Sequence, residues 1–399
     1  MGHRFVGPYA PAVATHLRGH LGVYPRPFWA LVAGNAFASL GGGVLVPYWA
    51  LYLTTSLHLS GAHAGALLAL AGLMGVVGAP LGGALADRVG RRRTLIVGLA
   101  GSTIWFALYG TIRSPLWLVA LTLFGVSGDI WAAASNTAVA DVLEPELRPA
   151  GYGLLRQAAT AAFALGPPLG SLLVVALSLR WIFWVQALTS LAFLVLVTAY
   201  VPETRPEHEE GTEPPRLRHA LRDRRLLLLT LGTTLAVLVY VQFDSVLGVF
   251  LHRDRGYALA TWGLVFGISP VLIGLAQYPV ARWAGRRNAR GVLAAGVLLE
   301  GLALFVLWPT SVLPVLIAAV VLVSVGETLV QPVATTRAVD LAPPHLRGAY
   351  DAVGAFAFAV AWPAGVLSGL ALVGAGHGAL MLALALPLSA GAALAFSRV

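Results

Sequence analysis

Gly83-Ala84-Leu85-Ala86-Asp87-Arg88-Val89-Gly90-Arg91-Arg92-Arg93 is a charged hairpin set between two runs of almost pure hydrocarbon. The run before it, Gly61 to Ala84, and the run after it, Thr94 to Ile112, are each long enough to cross a bilayer as a helix at about 1.5 Å per residue. Glycines and charges concentrated in so short an interval predict a tight turn at a membrane surface.

Outward from the hairpin the chain remains apolar. Hydrophobic residues make up 58% of the 399 and charged residues 11%. A soluble core has no room for that much apolar surface, so the composition alone predicts an integral membrane protein. The net charge of +9 would suit a phosphate-rich partner, but the basic residues sit in short clusters between hydrophobic spans, where they set topology. Nucleic acid is therefore excluded as a partner. All 26 basic residues are arginine, which leaves no amine for Schiff-base chemistry, and the absence of cysteine removes disulfides, thiolate nucleophiles and thiolate metal sites.

Twelve candidate spans follow along the chain, near 28–54, 61–84, 94–112, 115–140, 150–177, 181–201, 226–251, 261–281, 291–308, 313–338, 349–374 and 377–397. Only Arg113, Arg180, Arg253 and Arg255 fall in one set of alternate loops and Arg156 falls inside a span; the remaining arginines lie on the other side. That asymmetry predicts that both termini are cytoplasmic. The first 27 residues are too weakly apolar for a signal-peptide core and read as a tail, 1–27. The one long polar stretch, Pro202 to Arg225, divides six spans from six and reads as a linker, 202–225, between units 28–201 and 226–399. The halves are weakly self-similar. Gly90-Arg91-Arg92 recurs as Gly285-Arg286-Arg287, Gly128-Asp129 as Gly326-Glu327 and Tyr152 as Tyr350, at offsets of 195, 198 and 198 residues, as a duplicated six-helix unit would leave them.

The hairpin pattern Gly-x-x-x-Asp-Arg-x-Gly-Arg-Arg between the second and third spans resembles the signature loop of the major facilitator superfamily of secondary transporters. Val201-Pro202-Glu203-Thr204 resembles the usual end of that superfamily's sixth span. Gly166-Pro167-Pro168-Leu169-Gly170 in span five resembles its antiporter motif, with Ala162 and Ser171 where glycines are usual. Small residues spaced by four let helices approach, and proline loosens the backbone ladder; ordinary membrane packing is the competing reading. Gly78-x-x-x-Gly82 and Gly365-x-x-x-Gly369 repeat the spacing in spans two and eleven. The resemblance implies an all-α fold of twelve transmembrane helices in two pseudo-symmetric six-helix bundles, working as a monomer by alternating access. It further implies that Asp87 meets the start of span eleven and that Arg88 or Arg91 engages Asp141 at the end of span four, with Gly83, Gly90 and Arg92 completing the loop. The resemblance extends to drug/proton antiporters, implying proton-coupled efflux of small amphipathic compounds. Import or export of a specific nutrient or metabolite is the alternative, and a lipid-modifying membrane enzyme the alternative of another class. One departure is plain: where many such antiporters carry an arginine in span four, this chain has Asp129.

Charges inside spans are costly unless paired, neutralised or wetted, so Asp129, Arg156, Asp244, Glu300 and Glu327 are candidates by default. Glu327 either exchanges protons or contacts substrate, or makes a buried structural hydrogen bond. Asp129 either titrates or pairs with Arg156. Counted from the turn near Pro145 the two differ in height by roughly 7 Å, about an arginine's reach. Asp244 reads as a solvated rim residue, with a place in the substrate cavity the alternative, and Glu300 as a supporting group or interfacial water contact, with proton coupling the alternative. Asn35, Tyr48, Tyr52, Asn136, Tyr240, Gln242 and Gln277 are candidate cavity residues, and Trp131 and Trp362 offer aromatic surface to flat or cationic ligands, against the competing reading of interface anchors and packing. No His-Glu-x-x-His, Gly-x-Ser-x-Gly or phosphate-binding loop occurs. The expected energy source is a proton gradient, with no cofactor or metal; the expected partners are a small-molecule substrate, protons and lipid.

Overall fold

The computed structural model describes residues 23–204, 220–310, 312–343 and 346–399. Most of the 1–27 tail and the middle of the 202–225 linker lie outside them. Among the described residues the fold is entirely helical. The helices are α1 (Arg26–Leu51), α2 (Gly61–Val89), α3 (Arg91–Tyr109), α4 (Pro115–Phe124), α5 (Val126–Val142), α6 (Arg148–Ala176), α7 (Trp181–Tyr200), α8 (Arg224–Val241), α9 (Leu247–Arg255), α10 (Leu259–Phe266), α11 (Ile268–Ala284), α12 (Ala289–Phe305), α13 (Leu313–Leu341), α14 (Arg347–Gly374) and α15 (Gly378–Ser397). Two π turns, Tyr52–Ser56 after α1 and Gln242–Val246 after α8, occupy matching places at the head of each half of the chain.

Ten helical stretches among the described residues are long and apolar enough to cross a membrane. Three of them join neighbouring pieces: α4 runs into α5 past Gly125, α8 into α9 through the π turn, and α10 into α11 past Gly267. The expected third and ninth spans fall outside these ten. Helix α3 begins with three consecutive arginines, and α12 has only 17 residues, about 25 Å of helix against a hydrocarbon core near 30 Å.

Sequence dictates how closely these rods approach. Gly43 of α1 and Gly166 of α6 lie backbone to backbone, and a Cβ on Gly170 would fall 2.6 Å from the Tyr48 ring. Helix α6 continues unbroken through Pro167 and Pro168. The first half of the chain packs mainly through α1 on α6 and α7, and through α5 on α2 and α3; the second through α12 on α13 and α15, and α8 on α14 and α15. Three lines of contact join the halves: α2 with α14, α6 with α10 and α11, and α1 with α9 and α10.

Along α2 the glycines change partner. Gly61, Gly65 and Gly72 face Leu370, Leu367 and Trp362 of α14, whereas Gly75 and Gly78 face Asp129 and Gly82 faces the Ile130 carbonyl of α5. Beyond that change α2 and α14 separate, leaving Leu81, Leu85, Phe356 and Val360 exposed. The halves are thus closed on the face that carries the π turns, the far face, and parted on the face that carries the hairpin.

Candidate functional site

The far-face closure is built from polar groups brought together by the glycine contacts. Tyr48 and Ser171 hydroxyls meet at 2.8 Å, Ser171 donates to the Ala260 carbonyl at 3.0 Å, and the Trp262 indole donates to the Pro47 carbonyl at 3.1 Å. Tyr48 is 0% and Trp262 1% exposed. Gly263 leaves the space that the Tyr48 hydroxyl fills. Ser171 is the departure from the glycine-rich motif, and that departure supplies the link between α6 and α10. Trp262 had no signal in the sequence.

At the hairpin, Arg91 is the hub. Its guanidinium lies 3.3 Å from an Asp87 oxygen and 3.0 Å from an Asp141 oxygen, and donates to the Ala86 carbonyl at 3.1 Å while only 6% of the residue is exposed. Of the two arginines expected to engage Asp141, the structure therefore uses Arg91; Arg88 sits in the last turn of α2. Asp87, its side chain 65% exposed, is paired within its own hairpin; the side chains that begin α14 lie outside the described residues. Gly90 turns the chain at φ 107°, left-handed space that other residues rarely enter. It packs on the Glu203 carboxylate, which accepts the backbone N–H groups of Arg92 and Arg93 at 3.0 and 3.2 Å. Glu203 thus supplies an anion to the start of α3, where unpaired N–H groups and the helix dipole favour one. Arg92 donates to the Thr198 carbonyl at 2.8 Å, and Gly83 faces open space.

Between these two ends lie the intramembrane charges. Glu327 lines a cavity of about 230 Å³ with Tyr240, Thr233, Gln331 and Phe358. Glu300 and Asp244 stand within electrostatic reach of it. Glu300 is 1% exposed, its oxygens have no hydrogen-bond partner, and its Cγ occupies the space that a side chain on Gly326 would need. Asp244 is half-buried in the second π turn rather than solvated at a rim; it accepts the Ser245 hydroxyl at 2.8 Å and lies against the Trp362 indole. No ion pair neutralises any of the three among the described residues. Three carboxyl groups within electrostatic reach of one another and without a paired base cannot all carry charge cheaply away from water.

Asp129 and Arg156, placed together by height, are not together here. Asp129 packs against Gly75 and Gly78 of α2, and Arg156 lines a cleft between α6 and α11 with Gln157 and Gln277. Other polar residues expected in a cavity act instead as joints between helices. Asn35 donates to Ser135 at 2.9 Å, Tyr52 is buried on Phe183, Trp131 stands edge-on to Phe193, and Gln242 donates to the Gly365 carbonyl at 3.1 Å. Asn136 is exposed, and its backbone carbonyl accepts the Tyr152 hydroxyl at 2.7 Å.

Helices long enough to span a bilayer, a closure between halves at one face and buried unpaired acids beside a cavity define a membrane transporter. The Major Facilitator Superfamily profile matches residues 31–366, and the chain belongs to that family. Relatives include the MFS-type transporter YqjV of Bacillus subtilis (strain 168), 22% identical with 81% of this chain and 80% of that protein covered. The Na(+), Li(+), K(+)/H(+) antiporter of Planococcus maritimus is 24% identical over 82% and 85%, and the multidrug resistance protein MdtH of Edwardsiella ictaluri (strain 93-146) 27% identical over 80% of each. Among solved structures, the nucleoside transporter NupG superposes with a TM-score of 0.77 at 13% identity, covering 93% of this chain and 98% of that one. The POT family transporter PepTSo does so with 0.75 at 15%, covering 94% and 97%; both likenesses are of fold. The chain is a transporter, not an enzyme.

Proposed function

We propose that the protein is a proton-coupled secondary transporter that exports small amphipathic compounds by alternating access. The reading takes the joined helices together with α3 and α12 as twelve spans in two six-helix bundles, 28–201 and 226–399, joined by the 202–225 linker. It places the tail and both termini in the cytoplasm and the monomer in the cell membrane. The closed far face then corresponds to an inward-open state. The observation that carries the reading is Glu327, an acid facing a cavity with two further acids within electrostatic reach and, among the described residues, no ion-paired base. A carboxyl group that is dry in one state and wetted in the next can load and release a proton as access alternates. No cofactor enters the cycle. Multidrug and cation/proton antiporter relatives support the coupling and the direction.

Purified protein in liposomes with an imposed pH gradient tests this. Glu327→Gln is expected to bind substrate and to exchange it without a gradient, while losing gradient-driven accumulation by at least about tenfold. Accumulation with an unchanged dependence on the gradient would move the coupling role to Asp129 or Glu300. A compound panel in the same vesicles separates an exporter of many amphipaths from a carrier of one nutrient or metabolite.

A further inference from the structure

Arg156 lies on α6 more than two turns in from the hairpin-face end of the helix. It is exposed into a cleft of about 580 Å³ between α6 and α11 that reaches Pro332 of α13. Gln157, Thr160, Gln277 and Tyr278 offer hydrogen bonds around it, Ala161, Val271 and Leu275 form an apolar wall, and no acid lines the cleft. Arg156 has no ion pair among the described residues. A guanidinium within a bilayer is tolerated when water or an anion reaches it, and its planar fork grips carboxylate, sulfonate or phosphate oxygens in pairs.

We propose that Arg156, assisted by Gln157 and Gln277, binds the anionic group of an amphipathic molecule whose apolar part lies along Val271 and Leu275. The site deepens the transport reading and rests on it. Adjacent residues of α13 line the two cavities, Gln331 the one holding Glu327 and Pro332 the one holding Arg156. The anion site and the acid cluster are therefore neighbours, and an amphoteric compound suits them better than the simple cation that the aromatic residues alone would suggest. The head of an anionic lipid carries the same chemistry as a free anion.

The test is equilibrium binding to the full chain in neutral micelles, at neutral pH and without a gradient, read by fluorescence anisotropy. The probes are dansylglycine, which carries a carboxylate, and dansylglycinamide, which does not. Wild type is expected to prefer the carboxylate by about tenfold, the worth of one charge-assisted contact. Arg156→Gln should abolish the preference and leave amide binding unchanged, and Arg156→Lys, which keeps the charge and loses the fork, should retain only part of it. Where Arg156→Gln does not fold, Arg156→Lys carries the test. Nanodiscs with phosphatidylglycerol in place of phosphatidylcholine separate the sources. Undiminished dansylglycine binding assigns the site to a free solute, and competition by the anionic lipid, absent in the variants, assigns it to a lipid head. No preference in wild type, or a full preference in both variants, overturns the proposal. Because no gradient is applied, failure of Glu327 as the coupling residue leaves this result untouched.

Discussion

Arg91 is a guanidinium at the edge of the membrane, almost wholly enclosed by Asp87, Asp141 and the Ala86 carbonyl. Removing Asp141 leaves the buried Arg91 charge without its closest partner, and breaking a buried pair from one side costs about 3 kcal/mol. Asp141→Asn should therefore lower the thermal midpoint of the purified protein more than the double change Arg91→Gln with Asp141→Asn. Arg92→Gln, which loses one contact from a half-buried residue outside the hub, should cost about 1 kcal/mol. Equal losses in the single and the double variant would show that the enclosed pair is not what holds the hairpin. The contact with Asp141 was implied by the family resemblance of the hairpin, down to a choice between Arg88 and Arg91; the contact with Asp87 was not. Asp129 and Arg156, expected as a pair, do not meet, and the reason is geometric. Counting residues from a turn gives depth, but whether two side chains meet also depends on azimuth around each helix. Azimuth here is set by α2 glycines that draw α5 in at Asp129, and by the position of α11 across from Arg156.

Helices α1 and α6 cross closely, because Gly43 and Gly166 bring two backbones into contact. Gly166→Ala would insert a methyl group where Gly43 already stands, and overpacking of that kind costs about 1–3 kcal/mol. The same substitution at Gly153, earlier on the same helix with no atom within 4 Å of a new Cβ, should be neutral or slightly stabilising through helix propensity. Melting of the two variants side by side separates steric contact from a general intolerance of α6 to alanine. At this scale the sequence was informative even where a span is short: the span expected near 291–308 is α12, Ala289–Phe305. Glu203 could be seen as the end of a span, but not as the cap of α3, since the two are joined only by folding. The polar residues placed by sequence in a cavity mostly became joints between helices, because an amide or hydroxyl on a helix face serves either purpose.

The far-face closure holds the two halves through Ser171, Tyr48 and Trp262, each bonded across the interface or to a neighbour that is. Ser171→Gly restores the small residue usual at that place and removes one link across the interface, to the Ala260 carbonyl, worth about 1 kcal/mol, along with the bond to Tyr48 inside the first half. On the proposed cycle it should shift the population toward the far-face-open state by about fivefold. The chain has no cysteine, so a pair of introduced labels across the far face reports the shift by electron–electron distance measurement. An unchanged distance distribution would show that the closure is held elsewhere. Helix α2 bears on how far such an opening carries. Its glycines exchange α14 for α5 just after Gly72, where the Trp362 ring bears on it. From that bearing the helix runs 11 residues to Gly61 and 17 to Val89, arms of about 16 and 26 Å. Tilted as a stiff rod over this fulcrum, α2 is an unequal lever. Any separation it produces on the far face is matched by a movement about half as large again at the hairpin.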